Sequence, residues 1–337
     1  MDARLLSKAL SDPAYALTLT PSGWTALLEM ARAERLDAAL AERLDGLSLP
    51  PAVMPILAQA RSSAQTGRTQ ALFEAEMARR ALAPLNIPVI LLKGTAFVAA
   101  GLLAGQGRLI GDLDILVPRD RLNEAEAALL AAGWEWVKEN AYDAAYYRDH
   151  MHELPPLIHR TRDRMIDVHH TVLPLTARPT PDAAALIAAS VDLGNGLRTL
   201  CSEDMILHSV AHLFADGDLA GGLRNLWDID RLIREFCEGE GFWDRLLEHA
   251  HRHQIPKSTA RALRLCHHLF ETPVHPGIAW KARAGDVFYL GRLLARDSWG
   301  RPTRTLLRFG FYVRSHWIRM PPLMLARHLW TKWRKAT

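Results

Sequence analysis

An Asp-x-Asp pair set inside an apolar run restricts this chain more than any other feature: residues 112–117 read DLDILV. On an extended strand successive side chains alternate, so Asp112, Asp114 and Leu116 share one face and Leu113, Ile115 and Val117 the other. Two carboxylates crowded onto one face repel each other, and an apolar setting strips their hydration, so the pattern calls for a cation beside them. A divalent metal is the simplest such cation. A third acid stands in residues 165–170, MIDVHH, where Met165, Asp167 and His169 share a face opposite Ile166, Val168 and His170. If the two strands are neighbours, Asp112, Asp114 and Asp167 form a pocket able to hold two Mg²⁺ ions, with further oxygens supplied by phosphates.

The turn upstream points the same way. Residues 88–92, PVILL, have strand length and lead into Lys93-Gly94-Thr95 and a small-residue helix to about residue 104. A glycine at such a junction lets backbone N–H groups approach a phosphate, and Lys93 or the Thr95 hydroxyl can bind an oxygen. Taken alone the turn is an ordinary strand-to-helix connection with a solvated lysine; the acids that follow favour the phosphate.

Around these motifs the pattern is helical. Residues 1–83 carry an amphipathic run, WTALLEMARAERLDAALAERL, and a second helix opened by Pro50-Pro51 that reaches about residue 80. Residues 84–178 form a small α/β unit with strands expected at 88–92, 112–117, 134–138, 144–148, 154–160 and 165–170. Residues 179–337 read as six to eight helices punctuated by prolines. The expected class is α+β: a small mixed sheet embedded in a helical N-terminal segment and a helical C-terminal domain with a basic tail.

Hydrophobic residues at 49% and charged residues at 23% suit a globular chain. The N-terminus lacks the apolar stretch of a secretory signal and no segment is apolar enough to span a bilayer, so a cytoplasmic protein is expected. Cys201, Cys237 and Cys266 are few, odd in number and without C-x-x-C spacing, which argues against a disulfide framework or a thiolate metal site. Of the net charge of +4, residues 301–337 hold nine Arg or Lys and no acid, leaving a body at −5; long nucleic acid is therefore an unfavoured partner.

The pattern L-L-K-G-x-A…R-x-x-G-D-x-D-I-L-V…L-x-x-x-G-W…I-D-V-H-H resembles the nucleotidyltransferase-5 family, uncharacterised nucleotidyltransferases of the DNA polymerase β-like superfold. The likeness continues through LHSVAHLF and LRNLWDIDRLI and spans about residues 30–270. The resemblance implies that Asp112 and Asp114 are the metal-binding pair and Asp167 the third carboxylate, as base or metal ligand. Lys93-Gly94 stands where the wider superfold has the Gly-Ser turn that holds the triphosphate. Arg108, four before the first aspartate, occupies the position of a phosphate-neutralising arginine, with a plain surface arginine as the alternative. The implied reaction moves a nucleoside monophosphate from an NTP, ATP by default, to an unidentified hydroxyl or phosphate acceptor, releasing pyrophosphate with two Mg²⁺ ions. The acceptor could be a small molecule, glycan, peptide or protein.

Other readings remain open. A degenerate member would bind nucleotide or partner proteins without turnover. His208 and His212, at i and i+4 on a helix with Asp216 one turn on, could instead serve a metal-dependent phosphohydrolase. His152, Glu153, His169 and His170 lie near the acids in sequence as acceptor contacts, and Asp228 could face the same cleft. Asp230 points away from Asp228 on a helix and should pair with Arg234. His249, His251 and His253 read as a solvated helix end. The tail, with Leu325, Ala326, Leu329, Trp330 and Trp333 on one helical face, either packs on the body or makes a weak contact with an anionic membrane surface.

Overall fold

The apolar run at residues 88–92 becomes the middle of a mixed sheet. A computed structural model describes residues 2–138, 147–275, 277, 283–319, 330 and 334. In it β1 (Ile90–Leu91), wholly buried, pairs antiparallel with β2 (Leu113–Leu116) on one side and parallel with β7 (Arg198–Thr199) on the other. β2 in turn pairs parallel with β5 (Met165–His169), which continues antiparallel through β4 (Leu157–His159) to β3 (Trp134–Trp136); β6 (Val191–Asp192) closes the other edge. The order is β3-β4-β5-β2-β1-β7-β6. Because β1, β2 and β5 are central, their apolar residues are covered on the face that lacks the acids: Leu113, Ile115 and Val168 are all buried.

Helices enclose this sheet, and the fold is α+β as the pattern predicted. Helices α1 (Arg4–Ser11), α2 (Pro21–Ala33), α3 (Asp37–Arg43) and α4 (Met54–Leu82) precede it; α5 (Lys93–Ala99) and α6 (Leu122–Ala131) lie between its early strands. α7 (Ala183–Ala188), α8 (Ser202–Ala211), α9 (Gly222–Phe236), α10 (Phe242–Arg252), α11 (Pro256–Phe270), α12 (Asp286–Leu293) and α13 (Thr305–Arg319) follow. One continuous apolar cluster runs from Ala3 to Phe311, so the early and late helices share a core with the sheet. Arg296 closes the chain on itself, donating to the buried Glu34 at 2.7 Å. Among the described residues no helix is long and apolar enough to cross a membrane.

Several expectations are corrected. The run from residue 24 to 44 is two helices, because Arg35 takes a left-handed φ of 53° and turns the chain. The strand expected at 144–148 is not one: residues 147–150 are helical, and Arg148 ties this turn to Asn123 and Glu126 of α6; residues 144–146 lie outside the described residues. Past residue 178 the chain is not all helical, since β6 and β7 extend the sheet; two-residue strands carry no readable alternation. The face expected at 325–333 lies outside the described residues apart from Trp330.

The loop that leads into β2 is pressed onto α3. Gly107 has φ +62°, and a Cβ there would sit 2.6 Å from the backbone of Ala38 and Ala39. Gly107→Ala should therefore lower stability by about 3 kcal/mol in urea unfolding, from backbone strain and steric overlap together. Gly46, also left-handed at φ +75° but with nothing within 4 Å, is the control, and Gly46→Ala should cost about 1 kcal/mol. Equal losses at the two sites would show that the loop is not held against α3.

Candidate active site

The parallel register of β2 and β5 makes Asp114 and Asp167 Cα partners, so their carboxylates stand side by side on one face of the sheet. Asp112 reaches the same place from the bend before β2 and is exposed. One ligand oxygen from each of Asp112, Asp114 and Asp167 lies within 4.8 Å of the other two, a span that a divalent cation with oxygen ligands bridges.

Two other groups compensate Asp114, which is 3% exposed. Lys93 Nζ donates to Asp114 Oδ1 at 2.6 Å, and His169 Nε2 donates to the same oxygen at 3.0 Å. Burial alone would push the Asp114 carboxyl up; the Lys93 charge and the His169 hydrogen bond outweigh it and hold it well below the usual range. Burial likewise disfavours the Lys93 charge, but Asp114 more than restores it. The fully buried His169 is pushed below its ordinary value by burial despite the pull of Asp114, leaving a neutral donor.

Asp167 has the opposite balance. Burial first, then the charges of Asp114 and Asp112, push its carboxyl up to about 7. Its Oδ1 is enclosed with no hydrogen-bond partner. An unpartnered buried carboxylate oxygen within a cluster of three acids fits a hard divalent cation such as Mg²⁺, which would complete the oxygen set and cancel the repulsion.

The turn after β1 is built differently from the expectation. Lys93, not Gly94, holds the left-handed conformation, at φ 49°, which costs a lysine roughly 1 kcal/mol or more. Gly94 is needed for close approach: a Cβ there would meet Ile110 Cγ1 at 3.1 Å and Arg108 Cγ at 3.4 Å. Thr95 is buried and its hydroxyl enclosed without a partner, so Lys93 is the side chain of this turn that contacts the carboxylates.

Arg108 is not a surface residue. Its guanidinium meets Asp228 Oδ2 at 3.0 Å, with both side chains buried. Burial pushes Asp228 up, against the charges of Arg108 and Arg224. These residues, with His208, His212 and Lys93, line a cleft between α5 and the helices α8 and α9. Arg224 sits four residues before Asp228, on the same face of α9, and no motif in the sequence singles it out. Burial and then the charge of Arg108 push its pKa down to about 10, against the pull of Asp228.

The histidines divide. His169 is 1% exposed and sits within the carboxylate network, not on an open acceptor surface. Its Nδ1 lies 3.5 Å from Glu153 Oε2, and His152 Nε2 lies 3.7 Å from the same oxygen, so a line of contacts runs from Asp114 outward to His152. His208 is buried and strongly disfavoured as a cation, by burial and then by Lys93. Among the described residues three groups of donors converge closely enough to share an ion, and neither His208 nor His212 is in them; the Asp216 side chain lies outside the description. Asp230 bonds Arg234 at 2.9 Å and Thr272 at 2.6 Å, apart from the site.

The raised pKa of Asp167 has a measurable sign. The unfolded carboxyl titrates near its ordinary value and the folded one near 7, so charging Asp167 opposes folding progressively from about pH 4 to 7 and then by a constant amount. With EDTA present, Asp167→Asn should be more stable than the parent at pH 8 by roughly 1–4 kcal/mol, and the difference should shrink toward pH 4. A variant no more stable than the parent at pH 8 would contradict this electrostatic picture.

No curated protein matches the chain. A family model described as an uncharacterised nucleotidyltransferase matches residues 20–271, from α2 to the end of α11 and so across the whole sheet and the cleft. With most of its length matched in this way, the chain belongs to that nucleotidyltransferase family.

Proposed function

We propose that the chain transfers a nucleoside monophosphate from ATP to a hydroxyl or phosphate acceptor, with Mg²⁺ held by Asp112, Asp114 and Asp167. The observation that supports it most is the strand register that sets Asp114 beside Asp167 while leaving Asp167 Oδ1 unpartnered. Bound there, Mg²⁺ would supply positive charge to the reacting phosphate and to the oxygens on either side of it. The remaining work belongs to the side chains. Lys93 and His169 hold Asp114 ionised and in one orientation. Arg224 and Lys93, which both line the cleft, take the negative charge of the polyphosphate. Arg108 and Asp228 hold that cleft in shape through their buried pair.

In the reaction the acceptor oxygen bonds to the α-phosphorus as the bond from that phosphorus to the bridging oxygen breaks, and pyrophosphate leaves. Where the acceptor is a hydroxyl, Asp167, beside Asp114 on the sheet, is the carboxylate placed to take its proton. A phosphohydrolase centred on His208 and His212 has less support, since their partners in the cleft are cations and neutral groups more than ligands.

Incubation with α-labelled or γ-labelled ATP, Mg²⁺ and cell extract tests the proposal. Label should move to an acceptor from the α position only, and transfer should fall by at least roughly a hundredfold in Asp112→Asn and Asp114→Asn. Transfer from the γ position would identify a kinase and overturn the reading. No transfer from either, with ATP still bound, would favour a protein that binds nucleotide without turnover.

A further inference from the structure

A second group of donors lies where α8 begins and α10 ends. Cys201 occupies the N-cap position of α8 and Asp204 its first turn; His249 is in the last turn of α10 and His253 at its C-cap. The spacing is C-x-x-D on one helix and H-x-x-x-H on the other, so each pair presents to one side of its own element. The sequence pattern of His249, His251 and His253 suggests a solvated helix end, but His253 is 2% exposed and His249 is half-buried. What the sequence could not show is that the two pairs meet.

They meet on Asp204, which is 1% exposed. The Cys201 thiol donates to Asp204 Oδ2 at 3.3 Å, His249 Nδ1 lies 2.7 Å from Asp204 Oδ1, and His253 Nε2 lies 3.1 Å from the same oxygen. The sulfur, one carboxylate oxygen and one His249 nitrogen are all within 4.8 Å of one another. His253 Nδ1 accepts the backbone N–H of Asp182 at 3.2 Å, which leaves the ring proton of a neutral His253 on Nε2, facing Asp204. His253 is thereby fixed as a donor to the carboxylate, the arrangement that commonly orients a metal-binding group from outside.

A thiol, an imidazole and a carboxylate suit Zn²⁺ far better than the oxygen-seeking Mg²⁺. Cys201 and His249 are only half-buried, so the group is reachable from solvent. We propose that Cys201, Asp204 and His249 bind one Zn²⁺ through three protein ligands and a fourth solvent position, with His253 orienting Asp204. The site would clamp the start of α8 to the end of α10, and it stands independently of nucleotidyl transfer.

The test uses the full chain carrying Asp112→Asn and His152→Gln, which quiet the two other groups of donors able to share an ion. After chelator treatment and equilibrium dialysis against Zn²⁺, about one Zn²⁺ per chain is expected, and Co²⁺ in its place should give a thiolate-to-metal charge-transfer band. Cys201→Ser should abolish the band and weaken Zn²⁺ binding at least roughly tenfold, while Cys237→Ser should leave both unchanged. His249→Gln must weaken Zn²⁺ binding as well, and it decides the matter if Cys201→Ser does not fold. Zn²⁺ binding that survives His249→Gln, a Co²⁺ complex without the thiolate band, or no Zn²⁺ bound at all would overturn the proposal and leave a hydrogen-bonded network only.

Discussion

Everything near the candidate site depends on one unfavourable pairing, Asp114 directly beside Asp167 on parallel strands. Like charges placed opposite one another across a sheet are destabilising, and burial makes these two worse. The fold answers the two acids differently. Asp114 is given a lysine and an imidazole and stays ionised, whereas Asp167 is left with an unpartnered oxygen and an elevated pKa. Lys93 accepts a left-handed backbone to make its contact. An arrangement strained at the lysine and left with an unpartnered oxygen at the third acid carries a cost, and the Mg²⁺ proposed there would offset it.

The surrounding helices serve this arrangement more than they extend it. α3 presses on Gly107 and so fixes the loop that delivers Arg108 and Asp112. α9 brings Asp228 against Arg108 and places Arg224 in the cleft that Lys93 also lines. The Glu34–Arg296 pair then locks the earliest helices to the latest part of the chain. A buried ion pair such as Arg108–Asp228 adds little net stability, but losing one partner strands the other, so it holds the cleft to one geometry.

Much of this was legible in the sequence, for a physical reason. A strand repeats every two residues, so the shared face of Asp167 and His169 follows from spacing alone, whereas Asp112, expected on the strand, lies in the bend before β2 and meets Asp114 from there. The helical surroundings follow from apolar periodicity. Pairings between distant segments leave no such trace. Nothing local marks Lys93 as the partner of Asp114, Arg108 as the partner of Asp228, or Cys201 and Asp204 as neighbours of His249. The break at Arg35 leaves no trace because an arginine gives no signal for a left-handed turn, and β6 and β7 leave none because two residues are too few to alternate.

The most direct test is an anomalous difference map from crystals grown with Mn²⁺ and a non-hydrolysable ATP analogue. A peak within roughly 2 Å of oxygens from Asp112, Asp114 and Asp167, with the polyphosphate directed toward Lys93 and Arg224, is the expected result. Nucleotide bound elsewhere, or bound in the cleft with no metal among the three carboxylates, would contradict the account.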